Sequence, residues 1–184
     1  MRNSRIIAFL LALVLCISAV TAVFAEKSVE LTEELADKLY SIARKTLKEE
    51  GYKIDDYVCS GETVGNERWF TFQKGSHEFR CDVNQSTKYV EHLTNFDFYK
   101  KDGKIRDAKT AKKSEITKAR NKINKFLKKH NPKLSKRGKK LVLDQVLVKG
   151  KNRYLEFSEN KWNGMTFTIR VYPSVRIEVF HAPD

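Results

Sequence analysis

Two stretches of the chain, 85 residues apart, share one pattern of alternating aromatic and polar residues. Residues 67–72 read ERWFTF and residues 152–157 read NRYLEF. Residues 79–83 (FRCDV) likewise match residues 167–171 (FTIRV), with three residues added around Trp162. Alternation at a period of two residues is typical of β-strands with one buried face. The pattern predicts the same antiparallel strand pair in each half, and the alternative is two unrelated amphipathic hairpins.

A short turn sets how the strands of the first pair face each other. The dipeptide that begins at Gly75 has glycine in its first position, which is typical of the tight turns that join antiparallel strands. Such a turn places Phe72 opposite Phe79 and Phe70 opposite Cys81, so the apolar residues of both strands share one face.

An amphipathic helix is expected before the strands in each half. Thr32 can cap the first helix, and Gly51 is expected just after its end. Ser114 is expected to cap the second helix, and Pro132 lies just beyond its end. The apolar stripes are Leu35, Leu39, Ile42 and Leu47 in the first helix and Ile116, Ala119, Ile123, Phe126 and Leu127 in the second. Each helix therefore needs a sheet to cover its stripe.

These elements predict an α+β fold of two tandem repeats, each with one helix packed on an antiparallel β-meander of three to four strands. Further strands are expected at residues 57–64, 88–93, 141–148 and 175–180. The first repeat would span residues 26–108, and the second would span residues 109–184 and include a basic helix.

The beginning of the chain has the layout of a secretory signal peptide. Arg2 and Arg5 are followed by an apolar run at residues 6–17 and by small residues that lead to Ala25. Residues 1–25 are therefore predicted to be a signal peptide, with an uncleaved membrane anchor as the alternative. We expect a secreted or extracytoplasmic protein, in the periplasm, at the cell surface or outside the cell, with no stable membrane span after cleavage.

Cys59 and Cys81 are the cysteines of the expected mature chain, and export favours a disulfide between them. The strand register argues against this bond. If residues 57–64 pair with residues 67–73, the two cysteines lie two strands apart, roughly 10 Å, whereas a disulfide needs Cα atoms within about 7 Å. Either the segment before Ser60 crosses the apolar face to reach Cys81 or the thiols are free, and we expect the crossing.

Residues 109–140 carry the net charge of the protein. They hold 14 of the 36 Lys and Arg residues and a single acidic residue, Glu115, whereas the rest of the chain is balanced. The candidate polyanion-binding residues are Lys118, Lys122, Lys125, Lys129, Lys133, Lys136, Arg137, Lys139 and Lys140. A cationic face of this kind suits an extracellular polyanion, such as a cell-wall polymer, an acidic polysaccharide or an anionic membrane surface. The alternative is a solvated face that keeps the protein soluble.

The sequence contains no constellation typical of an enzyme. His77, His92, His130 and His181 are scattered, so the spacing indicates no zinc site. A Gly-x-Ser-x-Gly elbow and a glycine-rich phosphate loop are also absent from the sequence. We therefore expect a protein that acts by binding, without catalytic residues or a cofactor. Specific recognition of nucleic acid is not expected, because the chain is predicted to be exported and its aromatic residues belong to strands.

The strand and turn at residues 79–93 resemble the PepSY type of extracellular domain. Asp82 and Lys88 match the Asp and Lys of that family's Val-Asp-Ala-x-Thr-Gly-Lys-Val pattern, although this chain has Gln-Ser-Thr where the family has Thr-Gly. The second half offers Arg170 and Arg176 instead. The resemblance implies a non-catalytic module of secreted proteins that restrain peptidases.

The second half also resembles cystatins, which wrap an antiparallel sheet around one helix. Residues 146–150 have the Val and Gly of the cystatin Gln-x-Val-x-Gly hairpin, with Gln145 one residue early, and Trp162 lies in a later hairpin. The resemblance implies inhibition of a peptidase by hairpin tips, with Trp162 as the anchor. The candidate partner-binding residues are Val148, Lys149, Gly150, Trp162, Asn163 and Gly164. The expected partner is thus a secreted or surface peptidase, or else an extracellular polyanion.

Overall fold

A computed structural model describes residues 30–100, 102–160 and 163–183. The chain from Leu31 to Asp184 forms one compact unit. The predicted signal peptide, residues 1–25, lies outside the described residues. Within the described ranges, none of the helices has the length and apolar character needed to cross a membrane.

The helices are α1 (Glu33–Glu49), α2 (Lys113–His130) and the short α3 (Ser135–Gly138). The N-cap prediction for α1 is confirmed, because the Leu35 backbone N–H donates to Thr32 Oγ1 at 3.2 Å. The prediction for α2 is wrong. This helix is capped at Lys112, whose backbone N–H donates to Glu115 Oε2 at 2.9 Å, so Ser114 already lies inside the helix. The glutamate three residues after the cap accepts the backbone N–H of the cap residue, as in the second half of a capping box, and a lysine side chain has no acceptor with which to supply the first half.

Within the described residues, nine antiparallel strands form one sheet. They are β1 (Val58–Val64), β2 (Glu67–Lys74), β3 (His77–Asn84), β4 (Val90–Asn95), β5 (Lys104–Asp107), β6 (Val142–Lys149), β7 (Asn152–Ser158), β8 (Thr166–Tyr172) and β9 (Arg176–His181). Their order across the sheet is β1-β2-β3-β4-β9-β8-β7-β6-β5. The edge strand β5 was not predicted, since its four residues are all exposed and show no apolar alternation.

The predicted register of the β2–β3 hairpin is confirmed, with Phe72 paired to Phe79 and Phe70 to Cys81. In the β7–β8 pair, Phe157 lies opposite Phe167 and Leu155 opposite Ile169, which are the residues that the alignment of the two halves equates. Strands β4 and β9 pair directly and join both sets of strands in one sheet. The α+β class with an antiparallel sheet is confirmed, whereas the two-repeat organisation and its domain boundaries stay predictions.

One continuous core lies between the sheet and the helices. Helix α1 packs on β2 and β3, and helix α2 packs on β8 and β9. The apolar stripes of both helices and the inward residues of the strands belong to one buried cluster. A second, small cluster forms separately from Phe98, Leu147, Tyr154 and Val179. The alternate residues of β3 and β4 lie on the sheet face away from the helices and place polar side chains there.

The expected disulfide is not present: Cys59 and Cys81 are both free. The segment before Ser60 does not cross the apolar face, because Cys59 pairs with Phe72 across β1 and β2. Cys81 lies on β3, one strand further on. The pairing of β1 with β2 therefore keeps the cysteines two strands apart.

Alkylation of the unreduced protein tests the free thiols. In the native state we expect slow labelling of Cys59, which is partly exposed and whose pKa is raised by burial to about 11. Cys81 is completely buried, so it should react only after denaturation. Iodoacetamide labelling with peptide mapping by mass spectrometry measures both. Failure of either cysteine to take up label in denaturant without reductant would show that a disulfide does form.

Candidate functional site

We call Lys118, Lys122, Lys125 and Lys129 of α2 the lysine stripe, and it lies on the flank of the helix that faces α1. Lys122 Nζ lies 2.9 Å from Glu50 Oε2, and the Lys122 side chain is only 20% exposed. Lys129 Nζ lies 2.7 Å from Glu49 Oε1. These two predicted polyanion-binding residues are thus engaged in ion pairs with the last residue of α1, Glu49, and with Glu50, which caps it. The sequence could not indicate this, because their acidic partners come from the other half of the chain.

Lys118 and Lys125 lie on the same flank of α2, since residues three, four and seven apart share one side of a helix. Both are exposed, and neither forms an ion pair within the described part of the chain. Half of the predicted stripe is therefore free to contact a polyanion.

The remaining candidates lie in the connection between α2 and β6, residues 133–140. We call this connection the basic loop, although it includes the short helix α3. Its Gly138 packs closely on Leu127, on a different side of α2 from Lys122. Arg137 is held by Glu159, and Lys133 lies 5.7 Å from the centre of the Tyr89 ring. In the basic loop, Lys136, Lys139 and Lys140 are exposed and form no ion pair among the described residues, and Lys133 is likewise exposed without an ion pair.

Lys149, one of the predicted partner-binding residues, does not present its side chain to a partner. Its side chain is buried, and its ammonium group donates to the Phe98 carbonyl and lies 3.8 Å from the centre of the Phe98 ring. Val148 is half-buried, while Gly150 is exposed at the turn with a φ of +59°. In the later hairpin, Asn163 is exposed and Gly164 is half-buried. The proposed anchor, Trp162, lies outside the described residues.

A polar row that the sequence analysis missed crosses the face of the sheet away from the helices. Trp69 pairs with Asp82, Asp82 with His92, and His92 with His181, on the neighbouring strands β2, β3, β4 and β9. Glu67 lies beside this row and accepts a hydrogen bond from Trp69 Nε1 at 3.0 Å. No short motif marks these residues, because cross-strand pairing alone brings them together.

Asp82 is the most buried residue of the row, with 0% of its side chain exposed. The Arg80 guanidinium, which stacks 3.6 Å from the centre of the Trp69 ring, donates to both Asp82 oxygens at 2.7–3.0 Å. His92 Nδ1 lies 3.3 Å from Asp82 Oδ2 and 3.7 Å from Glu67 Oε2. The Asp that resembles the PepSY motif thus forms the centre of a charge network.

His92 is held in its charged form. Burial alone would lower its pKa, but the nearby carboxylates of Asp82 and Glu67 outweigh burial and raise the pKa to about 9. The same contact with His92, followed by that with Trp69, lowers the pKa of Glu67 against its own burial. At neutral pH the imidazolium and the two carboxylates form an ion-pair cluster, and His92 has no free lone pair with which to act as a base.

Glu67, Asp82 and His92 offer ligand atoms within 4.8 Å of one another, which is compatible with a metal ion. The chemistry of these donors does not favour one. Both Asp82 oxygens already accept N–H groups from Arg80, and metal binding would require His92 to lose its proton next to that guanidinium. We therefore interpret the cluster as a structural ion-pair network, with a cavity of about 370 Å³ beside it that is walled by Phe96 and Tyr99.

Comparisons with known proteins assign no family. No protein-family model matches the chain, and no curated protein matches it. One solved structure, the Bacillus megaterium YpeB C-terminal domain, is similar with 18% sequence identity and a TM-score of 0.47. The similarity covers 83% of this chain and 63% of that chain, so this chain spans less than two thirds of its structural neighbour. At this level the likeness carries no assignment of family or function, and the PepSY and cystatin resemblances stay resemblances.

Proposed function

We propose that the protein is an exported, non-catalytic binding protein whose basic loop attaches it to an extracellular polyanion. The observation that supports this proposal is the state of Lys136, Lys139 and Lys140, which are exposed within five residues of one another and have no acidic partner in the described part of the chain. Like charges this close repel one another, so neutralisation by an anionic polymer is favourable.

The anionic polymer is proposed as a cell-wall polymer, an acidic polysaccharide or an anionic membrane surface. All of these present closely spaced anions, and binding to them depends on charge density more than on specific contacts. Lys118 and Lys125 on the flank of α2 provide a second, separate contact for a long polymer. The expected interaction weakens with salt, because exposed charges are screened within about 10 Å at 0.1 M ionic strength.

Inhibition of a peptidase by hairpin tips stays a hypothesis. Two of the residues expected to contact the peptidase have no side chain available for it. The Lys149 ammonium group is bound to the Phe98 carbonyl, and Gly150 contributes only the backbone of an exposed turn. The anchor residue Trp162 lies outside the described residues. Because Lys149 is committed to Phe98, the described residues support the polyanion more than the peptidase.

Replacement of Lys136, Lys139 and Lys140 by glutamine should weaken binding to heparin and to phosphatidylglycerol vesicles. Each lysine near an anionic surface contributes about 1 kcal/mol, so the triple variant should bind roughly a hundredfold more weakly. Heparin-column elution and vesicle sedimentation over a salt series measure the change. Lys122 and Lys129 are left intact because their ion pairs with α1 contribute to the fold.

A matched control removes the same charge elsewhere. Lys38, Lys53 and Lys104 are exposed residues outside residues 109–140. Their replacement by glutamine should change binding far less. Equal losses in both triple variants would mean that net charge alone drives binding, and would overturn the assignment to the basic loop. Binding that does not depend on salt would overturn the proposed function itself.

A further inference from the structure

Two arginines of the second half share one buried carboxylate. Arg176 Nε donates to Glu178 Oε1 at 2.7 Å, and Arg170 Nε lies 3.3 Å from the same oxygen. Only 1% of the Glu178 side chain is exposed, against 14% for Arg170 and 23% for Arg176. These arginines are the residues that the second half offers in place of the PepSY-like Asp and Lys, and the proposed polyanion contact does not use them.

The other oxygen of the Glu178 carboxylate is taken up by neutral donors and compensates neither guanidinium group. Its Oε2 accepts a hydrogen bond from Asn95 Nδ2 at 2.6 Å and lies 3.1 Å from the Tyr52 hydroxyl. A single negative charge thus faces two guanidinium groups. In keeping with this excess, burial and the neighbouring Arg176 lower the pKa of Arg170.

A third cation lies at the same place. Lys149 is buried and forms no ion pair within the described residues, and its ammonium group is held by the Phe98 carbonyl and the Phe98 ring. Burial lowers its pKa and outweighs the opposite effect of the Glu156 and Asp102 carboxylates, neither of which forms an ion pair with it. The Phe98 ring packs edge-on against Tyr154 at a centroid distance of 5.0 Å. Aromatic side chains therefore form a wall beside the cations.

These side chains surround a cavity of about 290 Å³. Its cationic lining residues are Lys100, Lys149, Arg170 and Arg176, and its carboxylates are Asp97 and Glu178. Asp97 is already occupied, because it is contacted by Lys100 Nζ at 2.7 Å and by His77 Nδ1. Arg176 uses only its Nε for Glu178, so its two Nη groups have no hydrogen-bond partner among the described residues. The cavity thus combines an excess of positive charge with unused N–H donors.

We infer that this cavity binds a small oxyanion, a carboxylate or a phosphate group, through the Nη groups of Arg176 together with Arg170 and Lys149. Guanidinium groups match the geometry of both oxyanions and form charge-assisted hydrogen bonds with them. The wall of Phe98 and Tyr154 suits an apolar or aromatic remainder of the ligand. The bound anion would neutralise the charge that Glu178 leaves uncompensated.

An NMR titration with inorganic phosphate and, separately, with acetate tests the site at constant ionic strength. We expect saturable shifts of the Nε–Hε signals of Arg170 and Arg176 with at least one probe. Tighter binding of phosphate would indicate a phosphate-bearing ligand, and tighter binding of acetate a carboxylate. The Arg176→Lys variant keeps a cation beside Glu178 but lacks both Nη groups, so it should bind the probe about tenfold more weakly by the Arg170 signal.

The Lys149→Gln variant provides a second test, because this residue makes no contact with Glu178 and its loss leaves that ion-pair cluster intact. It should also weaken binding of the probe. The matched control is Lys136→Gln in the basic loop, which should leave the titration unchanged. The inference is overturned if neither probe gives saturable shifts, if Arg176→Lys and Lys149→Gln bind like the wild type, or if Lys136→Gln removes binding.

Discussion

Replacement of Glu178 by glutamine is expected to lower the free energy of unfolding by about 3–5 kcal/mol, the usual effect of removing one partner from a buried ion pair. Glu178 is 1% exposed and is the shared partner of Arg170 and Arg176. Without its charge, both guanidinium groups would stay desolvated with no carboxylate to compensate them. Glutamine fits the space, so the loss would arise from charge and not from a cavity.

The amide of the glutamine would also disturb the hydrogen bonds on the other side. Oε2 of Glu178 now accepts from Asn95, and an amide NH₂ group at that position would place two donors against each other. Urea unfolding followed by circular dichroism measures the change in free energy. The control is Glu62→Gln on β1, an exposed residue whose replacement should change stability by no more than about 0.5 kcal/mol.

A Glu178→Gln variant that lost less than about 1 kcal/mol would contradict this interpretation, since an effect that small is typical of exposed ion pairs. It would show that water reaches Arg170 and Arg176 and screens their charges. The oxyanion titration described above would then also be expected to give weaker shifts, because solvated arginines bind small anions poorly.

Stability should fall as the pH rises from 6.5 to 9, through loss of the charge on His92. The pKa of His92 is about 9 in the folded protein and has an ordinary value of 6.5. Because the folded-state pKa is the higher one, folding favours the protonated form. The stabilisation is complete below pH 6.5 and is lost as the pH passes through 9, with an amplitude of about 2–3 kcal/mol for this partly exposed side chain.

The His92→Gln variant isolates this contribution. It should be less stable than the wild type at pH 6, and the difference should shrink towards pH 9. Other groups titrate in both proteins alike, including His130, whose pKa is lowered by burial. Their contributions cancel when the two free energies of unfolding are subtracted at each pH. A difference that stays constant from pH 6 to pH 9 would show that His92 is not charged by Asp82 and Glu67.

The pairing of β2 with β3 could be predicted from the sequence because it depends on local features. A two-residue turn with glycine first leaves one register for the β2–β3 pair, and the alternating aromatics select the same face. The cap of α2 was misassigned for a local reason too. Both Ser114 and Lys112 precede an apolar stripe, and the Glu115 carboxylate decides in favour of Lys112 by accepting its N–H.

The candidate sites could be predicted only in part. The density of lysines predicted a polyanion-binding surface at residues 118–140. Lys122 and Lys129 are not available for it, because they form ion pairs with Glu50 and Glu49. The prediction of a disulfide was wrong because predicted export and the number of cysteines do not indicate which strands are neighbours. The geometry of β1 and β2 already argued against the bond, and the observed pairing of Cys59 with Phe72 agrees with that geometry.

The sequence by itself determined most elements of this protein: the two long helices, most strands, the β2–β3 register and the place where the charge accumulates. These follow from periodicity, turn residues and composition, which act over a few residues. Only the tertiary structure decided what the polar residues do. The pairing of β4 with β9 places His92 opposite His181, and the arrangement of the same strands brings Asn95 to Glu178. Contacts between residues 80 or more positions apart depend on strand order, which local patterns do not encode.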